Sequence, residues 1–250
     1  MVSLAEDLKL ALDRVAFAQE VGLKPDRWQE DLLRSTARRV LLNCARQSGK
    51  STMVGLLAVH AALYEPDSLI LLLSPTLRQS QELFKKCLSL YRAADKPVPP
   101  ESETALTLTL ENGSRIVSLP GKEGTVRGYS GVRLLAIDEA ARVPDDLYAS
   151  VRPMLAVSGG RLVALSTPFG TRGWWHDAWI NQEEPWERYR ITAEECPRIS
   201  SEFLSEERRN VGEWWFKQEY FCEFLDSQSQ AFRREDVDAM FSEEVEGWAL

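Results

Sequence analysis

The stretch Cys44-Ala45-Arg46-Gln47-Ser48-Gly49-Lys50-Ser51 is the strongest indicator of how this chain folds. It follows a run typical of a strand, Arg39 to Asn43, and opens a helical pattern from Thr52 to Leu63. A strand, a tight loop with Gly-Lys-Ser and a helix cradle nucleotide phosphates, because loop N–H groups and the positive helix end face the phosphate oxygens. The usual loop begins with Gly, whereas this one begins with Cys44.

The loop assigns a role to each of its polar side chains. Lys50 would reach the β- and γ-phosphates of a nucleotide, and the Ser51 hydroxyl would be a ligand of Mg²⁺. Backbone amides of the loop and of the first helical turn would hold the phosphates. The residues expected to bind the nucleotide here are Arg46, Gln47, Ser48, Gly49, Lys50, Ser51 and Thr52.

A second apolar run, Leu134 to Ile137, ends in the carboxylates Asp138 and Glu139. A continuous apolar run is typical of a buried parallel strand, and open α/β sheets bind ligands at the carboxyl ends of their strands. Asp138 would bind Mg²⁺ and the nucleotide, and Glu139 would orient and activate the attacking water. The alternative is that both acids simply begin the next helix.

A third strand, Arg161 to Ser166, stops before Pro168, which cannot continue a central ladder. The hydroxyls of Ser166 and Thr167 would then lie at the end of the sheet. We expect Thr167 to lie within reach of a γ-phosphate or its attacking water. The alternative is a polar strand end without a ligand.

These motifs together resemble the ATPase motor domain of the large terminase subunit of tailed bacteriophages. That family is similar in three ordered motifs: an Arg-Gln-x-Gly-Lys-Ser loop without a leading Gly, Asp-Glu-Ala-Ala after an apolar strand, and Ser-Thr-Pro. They match residues 46–51, 138–141 and 166–168. Gln29 matches a Gln associated with adenine recognition, and Arg127-Gly128 matches an Arg-Gly pair upstream of the acids.

The resemblance also includes residues 216–220, which are similar to the family's C-terminal lid region. It implies an ATP-hydrolysing motor that couples hydrolysis to the movement of double-stranded DNA into a capsid, with ATP and Mg²⁺ bound. The implied partners are double-stranded DNA, a homo-oligomeric ring (a pentamer) on a capsid portal, and the small terminase subunit. The implied location is the host cytoplasm, with no membrane partner.

Phosphoryl transfer needs a cation that stabilises charge in the transition state, and an arginine finger supplies it in many ATPases. Arg46 lies inside the loop and could act on the nucleotide of its own subunit. The resemblance suggests that Arg127 enters the site of a neighbouring subunit, whereas the alternative is an ordinary surface arginine. Glu139, Arg127 and Arg46 are therefore the expected catalytic residues.

Strands that alternate with helices predict an α/β fold with a mainly parallel sheet flanked by helices. The loop is typical of P-loop NTPases, and the resemblance implies the ASCE or RecA-like type with a small C-terminal lid lobe. We expect an ATPase core with N-terminal helices over residues 1–197 and a lid or linker region over 198–250. The RNase H-like nuclease domain of large terminases is expected to be absent from this chain.

Two local patterns complete the prediction. An apolar stripe at helical spacing predicts one amphipathic helix from Ser3 to Val21. Alternating residues in Thr104–Leu110 and Arg115–Leu119, joined by Asn112-Gly113, predict a hairpin at an edge of the sheet.

Composition limits the alternatives. A net charge of −8 argues against a basic surface for duplex DNA, and no pattern places Arg172, Arg188 and Arg190 on one face. No apolar stretch approaches the roughly 20 residues that span a membrane. A helicase-like ATPase remains an alternative, although no second RecA-like lobe is visible. A docking module with a vestigial site is another, although Lys50, Ser51, Asp138 and Glu139 are all present.

Overall fold

One mixed sheet organises the residues that the computed structural model describes, 3–121 and 128–225. Within them the sheet has eight strands, in the order β3-β4-β5-β2-β6-β7-β1-β8. These strands are β1 Arg39–Cys44, β2 Leu69–Ser74, β3 Pro100–Glu103, β4 Thr107–Leu110, β5 Arg115–Pro120, β6 Val132–Asp138, β7 Arg161–Ser166 and β8 Glu187–Ile191. The strands from β5 to β8 in this order pair in parallel, and β3, β4 and β5 pair antiparallel.

Helices cover both faces of this sheet. The α-helices of the described residues are α1 Leu4–Leu12, α2 Arg14–Glu20, α3 Arg27–Arg34, α4 Lys50–Tyr64, α5 Leu77–Ala93, α6 Asp145–Val151, α7 Gly173–Ile180, α8 Ser201–Val211 and α9 Glu213–Phe221. Alternate residues of each strand face opposite sides, so Leu42 packs with α4 and α5 while Leu41 packs with α6 and α7. Because both faces are buried, the parallel strands are largely apolar. The chain therefore has the α/β P-loop NTPase fold.

The prediction of a single N-terminal helix from Ser3 to Val21 is wrong, because this segment forms the two helices α1 and α2. The helix is interrupted at Asp13, whose backbone is extended. Asp13 Oδ1 accepts hydrogen bonds from the N–H groups of Val15 at 2.9 Å and Ala16 at 3.2 Å. Asp13 therefore caps a new helix, since a short acidic side chain competes with the helical backbone for its donors. The stripe on α1 is not buried either: Leu4, Leu8 and Leu12 are 85%, 57% and 78% exposed.

The predicted hairpin is confirmed, and it lies one strand inside the sheet edge. Gly113 turns the chain with φ +81°, and β4 pairs antiparallel with β5. The edge strand is β3, whose Pro-Glu-Ser-Glu residues are all exposed and carry no strand pattern. At the other edge, β8 extends the parallel sheet beside β1. Among the described residues, no helix combines the length and the apolar character needed to cross a bilayer.

Candidate nucleotide-binding site

A cleft lies where β1, β2, β6 and β7 end. Its volume is about 640 Å³. The residues that line it are Arg46, Gln47, Gly49, Lys50, Ser51, Thr52, Pro75, Thr76, Gln79, Lys86, Glu139, Arg142 and Thr167. The structure therefore brings the predicted loop, the predicted general base and the predicted third-strand hydroxyl together at one edge of the sheet, as strand order requires.

The backbone of the loop explains its sequence. Gln47 has φ +60° and Gly49 has φ +91°. This position needs glycine because of its φ. A Cβ there would also lie 2.9 Å from Gln29 Nε2, the end of a flexible side chain. Helix α4 begins at Lys50. The Thr52 N–H donates to the Gly49 carbonyl at 3.0 Å, and the N–H groups of Lys50 and Ser51 precede this first hydrogen bond of the helix. They give the cleft a positive end suited to phosphate.

Cys44 shows why the loop can begin without glycine. It is the last residue of β1, and it pairs in register with Ile191 of β8. Its backbone therefore stays in the sheet, and the special conformations begin only at Gln47. The Cys44 side chain is buried, and burial raises the pKa of its thiol far above the usual range. Cys44 thus contributes a neutral packing group to the base of the loop.

Lys50 and Glu139 meet across the cleft. Lys50 Nζ lies 3.9 Å from Glu139 Oε1, and Lys50 is buried. Glu139 has φ +50°, a left-handed conformation that a residue with a side chain adopts only under constraint. This turn directly after β6 orients the Glu139 carboxylate toward the loop that carries the ammonium group.

Asp138 is the last residue of β6 and is buried. Burial, together with the negative charge of Glu139, raises the pKa of the Asp138 carboxyl to about 6 against the opposing effect of the Lys50 ammonium. Asp138 Oδ1 accepts the Glu139 N–H at 3.1 Å. A buried carboxylate beside a second acid lacks enough positive charge, and a hard divalent cation would supply it.

Three hydroxyls lie at the carboxyl ends of β2 and β7, the strands on either side of β6. Thr167 lines the cleft, as predicted. The Oγ atoms of Ser74, which ends β2, and Ser166, which ends β7, are buried without a hydrogen-bond partner among the described residues. Buried hydroxyls normally have partners, so these two mark the sheet edge as a place for polar ligands. Sequence reasoning did not identify Ser74, because it ends an all-apolar strand without a motif.

Arg46 is held by the C-terminal helix α9. Its Nε donates to Glu219 Oε2 at 2.6 Å, and its backbone N–H donates to the Glu219 carbonyl at 3.1 Å. Ala45 packs with Phe216 and Tyr220 of the same helix. The guanidinium thus lies at the cleft but is tied to the region predicted as a lid. Glu219 lies inside the segment that carries the lid resemblance, but nothing in the sequence pairs it with Arg46.

Gln29 lies beside the loop, and both ends of its amide are engaged. Its Oε1 accepts the Asp26 N–H at 2.9 Å, and its Nε2 donates to the Ser48 carbonyl at 3.3 Å. Arg198, which sequence reasoning missed, donates to the same carbonyl at 2.9 Å and to Asp26 Oδ1 at 2.9 Å. Gln29 therefore joins α3 to the loop, and its role in adenine recognition stays a prediction.

The remaining arginines differ in position. Arg127 lies outside the described residues. Arg142 lines the cleft, and its guanidinium carbon lies 4.0 Å from the centre of the Phe169 ring. Arg188 and Arg190 donate to main-chain carbonyls, at Trp186 and Phe221 among others, so β8 uses them to hold neighbouring segments. Five further residues of the cleft lie outside the sequence motifs: Pro75, Thr76, Gln79, Lys86 and Arg142.

Comparison with known proteins identifies the family of this chain. The sequence model of the family described as "Terminase large subunit, T4likevirus-type, N-terminal" matches residues 41–239. The large terminase subunit of Thermus phage G20c is 26% identical over 270 residues, covering 94% of this chain and 56% of that protein. The chain therefore spans about half the length of this curated relative.

Solved structures give the same fold. The ATPase domain of the Thermus phage P74-26 large terminase has a TM-score of 0.75 at 25% identity, covering 84% of this chain and 97% of that domain. The large terminase of the thermophilic bacteriophage D6E, solved with ADP, has a TM-score of 0.62 at 12% identity, covering 88% of this chain and 53% of that one. Because the family's sequence model matches well over half of its residues, the chain belongs to the N-terminal family of T4-like-virus-type terminase large subunits.

Proposed function

We propose that this chain is the ATP-hydrolysing motor domain of a phage large terminase, which couples hydrolysis to the translocation of double-stranded DNA into a capsid. The proposal rests on the convergence of Lys50 and Glu139, whose charged groups lie 3.9 Å apart in the cleft. Helix α4 begins at this cleft, and Asp138 directly precedes Glu139. Phosphoryl transfer is mostly positioning and charge stabilisation, and this cleft supplies groups for both.

The residues present fit a nucleotide with a divalent cation. Lys50 and the first amides of α4 would bind the β- and γ-phosphates, with Gln47, Gly49 and Thr52 around them. Mg²⁺, when bound, would be held by Ser51 Oγ and the Asp138 carboxylate and would neutralise charge on the phosphate oxygens. The donor set of hydroxyl and carboxylate oxygens suits this ion.

Glu139 is the proposed general base. It would position a water in line with the γ-phosphate and accept its proton, with Thr167 beside it in the cleft. Nucleotide binding would draw Lys50 toward phosphate oxygens and leave the Glu139 carboxylate to the water. Arg46 in the same subunit and Arg127 from a neighbour are the proposed arginines that stabilise the transition state.

Family membership supports a proposal for the wider assembly. The P74-26 relative is described as an ATPase domain of a large terminase, which favours a packaging motor over the helicase-like alternative. We infer a homo-oligomeric ring, pentameric by resemblance to the family, that acts on double-stranded DNA at a capsid portal in the host cytoplasm. The small terminase subunit is a further proposed partner.

Calorimetry with ATP and Mg²⁺ tests the site. Lys50→Ala should abolish the heat of ATP binding, because it removes the ammonium group that meets the phosphates. Lys85→Ala is the matched control, since Lys85 is exposed on α5 and pairs with Glu82 on the surface. Unchanged ATP affinity in the Lys50→Ala protein, folded by circular dichroism, would contradict the assignment.

A further inference from the structure

A second concave region lies at the amino ends of the strands, where β1, β6 and β7 begin, on the side of the sheet opposite to the nucleotide cleft. A cavity of about 310 Å³ opens between these strand starts and the last turns of α4. Its charged lining consists of four arginines and one glutamate: Arg14, Arg38, Arg133, Arg161 and Glu65. The chain as a whole carries a net charge of −8, so this concentration of arginines is a local feature.

The positive charge of this cavity is only partly neutralised. Glu65 pairs with Arg133. Arg14 Nη1 donates to the Leu33 carbonyl at 3.2 Å, which carries no full charge. Arg38 makes no ion pair with any residue in 3–121 or 128–225. The guanidinium groups of this lining therefore outnumber its carboxylates by three.

Arg161 is the clearest case. Its Nη2 donates to Ser35 Oγ at 3.2 Å, and that hydroxyl donates to Glu187. Its Nε is buried and has no acceptor among the described residues. Burial, together with the positive charge of Arg14, lowers the pKa of Arg161 to about 10 against the opposing effect of Glu187. An anion between Arg14 and Arg161 would relieve the burial cost and the repulsion together.

The walls of the cavity are held in place. Ser158 Oγ donates to the Val132 carbonyl at 2.5 Å and accepts the Gly160 N–H at 3.2 Å. A Cβ on Gly160 would lie 2.0 Å from the Val132 carbonyl oxygen, so only glycine allows this packing. Ordered walls reduce the entropy that a ligand must overcome on binding.

The arginines continue into a neighbouring cavity of about 440 Å³, which shares Arg38 and Gly159 with the first. It adds Arg39 and Arg152, whose guanidinium carbons lie 6.0 Å from the Trp186 ring centre and 5.5 Å from the Tyr148 ring centre. We call the whole set the arginine edge: Arg14, Arg38, Arg39, Arg133, Arg152 and Arg161.

We propose that the arginine edge binds phosphate groups. Guanidinium is planar, keeps its charge and matches two phosphate oxygens with paired donors, which makes arginine the preferred side chain for this anion. Two adjoining cavities suit successive phosphates of a nucleic-acid backbone, and the first cavity alone would suit a free phosphate. The site is separate from the nucleotide cleft, because it lies at the opposite ends of the same strands and shares no residue with it.

Two variants and a control test the proposal. Arg38→Gln removes an exposed guanidinium without an ion pair among the described residues, so this protein should fold normally. Arg161→Gln removes the half-buried guanidinium and is the stronger but riskier change. Arg209→Gln is the matched control, because Arg209 is exposed on α8, away from the arginine edge. Circular dichroism melting confirms that each protein is folded, independently of whether it binds ATP.

The DNA arm uses fluorescence anisotropy of a short labelled duplex over a range of salt concentrations. Removing one phosphate-binding cation reduces the slope of log affinity against log salt by about 1. We expect that decrease for Arg38→Gln and Arg161→Gln, and an unchanged slope for Arg209→Gln. This result would identify a nucleic-acid backbone as the source of the phosphates.

The second arm uses inorganic phosphate, against chloride at equal ionic strength, and records the Tm. The loop at residues 44–51 is the same in all four proteins, so its contribution cancels. A phosphate-dependent rise in Tm that is absent from both variants and present in the control would identify free phosphate as the ligand. An unaltered response to DNA and to phosphate in both variants overturns the proposal, and binding of polyglutamate alone would assign the edge to acidic peptides instead.

Discussion

Glu139, the proposed general base, has a strained backbone. Its φ of +50° would cost about 1–3 kcal/mol in a residue with a side chain unless the surroundings enforced it. Its place directly after β6 and the hydrogen bond from the Glu139 N–H to Asp138 Oδ1 hold this turn. Strain of this kind is retained where it orients a functional group, here the carboxylate opposite Lys50.

Replacing that carboxylate separates binding from chemistry. Glu139→Gln should bind ATP with little change but hydrolyse it at least about 100-fold more slowly, because the amide cannot accept the proton of the water. Phosphate release and calorimetry measure the two effects separately. Glu183→Gln, an exposed surface change, serves as the control. A Glu139→Gln protein with a near-normal rate would remove Glu139 from the role of general base.

Among the secondary-structure elements, helix α9 is attached to the phosphate loop itself. The Arg46–Glu219 pair, the Arg46 N–H bond to Glu219 and the Asn43 Nδ2 bond to the Cys222 carbonyl at 3.0 Å all join β1 and its loop to this helix. A ligand that attracts Arg46 would therefore loosen α9 at the same time. The predicted lid has, in this contact, a physical link to the candidate nucleotide cleft.

Hydrogen exchange tests the link. Glu219→Gln removes one charged partner, worth about 1 kcal/mol, and should speed amide exchange across α9 about fivefold. Glu206→Gln on the exposed side of α8 should leave α9 unchanged. Equal protection of α9 in the wild type and in Glu219→Gln would show that apolar packing alone holds the helix.

Helix α4 also carries a pH-sensitive contact with α1 and α2. His60 is buried against Phe17 and Tyr64, and its Nε2 lies 3.1 Å from the Leu10 carbonyl. Burial, together with the charge of Arg14, lowers the pKa of His60 from 6.5 to about 4, although the Leu10 carbonyl and Glu65 oppose the shift. Between these values the unfolded chain binds a proton that the native chain does not.

His60 should therefore destabilise the fold in acid. Above pH 6.5 the neutral His60 does not reduce the free energy of unfolding. As the pH falls toward 4, the free energy of unfolding decreases by up to about 3 kcal/mol, at about 1.4 kcal/mol per pKa unit. Urea unfolding of wild type and His60→Gln across this window measures it, because glutamine keeps a donor for Leu10 but does not titrate. A parallel decrease of stability in both proteins would show that other groups cause the acid sensitivity.

In the proposed ring, ATP hydrolysis in one subunit would depend on an arginine from its neighbour. If Arg127 acts in a neighbour's site, mixtures of Arg127→Ala and Glu139→Gln subunits should regain ATPase activity that neither variant has alone. Rescue requires an interface in which one subunit supplies the arginine and the other keeps its glutamate. Phosphate release over a series of mixing ratios provides the measurement, and no rescue at any ratio would place the arginine in its own subunit.

Charge is distributed unevenly over the molecule. The net charge of −8 predicts no general basic surface, and the arginine edge concentrates positive charge in one place instead. Its six arginines come from α2, the C-terminal end of α6 and the starts of β1, β6 and β7, with no spacing that a sequence pattern could reveal. Arg188 and Arg190, which no sequence pattern places on one face, donate to main-chain carbonyls.

The amino-acid sequence was sufficient to predict the parallel core and several of the side chains that line the candidate cleft. Lys50, Ser51, Glu139 and Thr167 each follow a strand pattern, and parallel strands bring their carboxyl ends to one edge whatever the loops do. The hairpin at Gly113 was equally predictable, because its turn signal is local. Strands β3 and β8 were not predicted. The exposed Pro-Glu-Ser-Glu strand β3 forms only through its pairing with β4, and β8 is defined by its pairing with β1.

The pairing of charged side chains, in contrast, follows from tertiary packing alone. Arg46 and Glu219 are far apart in the chain, as are Arg14 and Arg161, and their proximity depends on how helices and strand starts pack. The end of α1 at Asp13 is likewise not visible in apolar periodicity. Asp13 can either continue a helix or cap a new one, and the spacing of apolar residues is the same in both cases. Periodicity records which face of an element is buried, whereas the partner of a charge depends on the three-dimensional path of the whole chain.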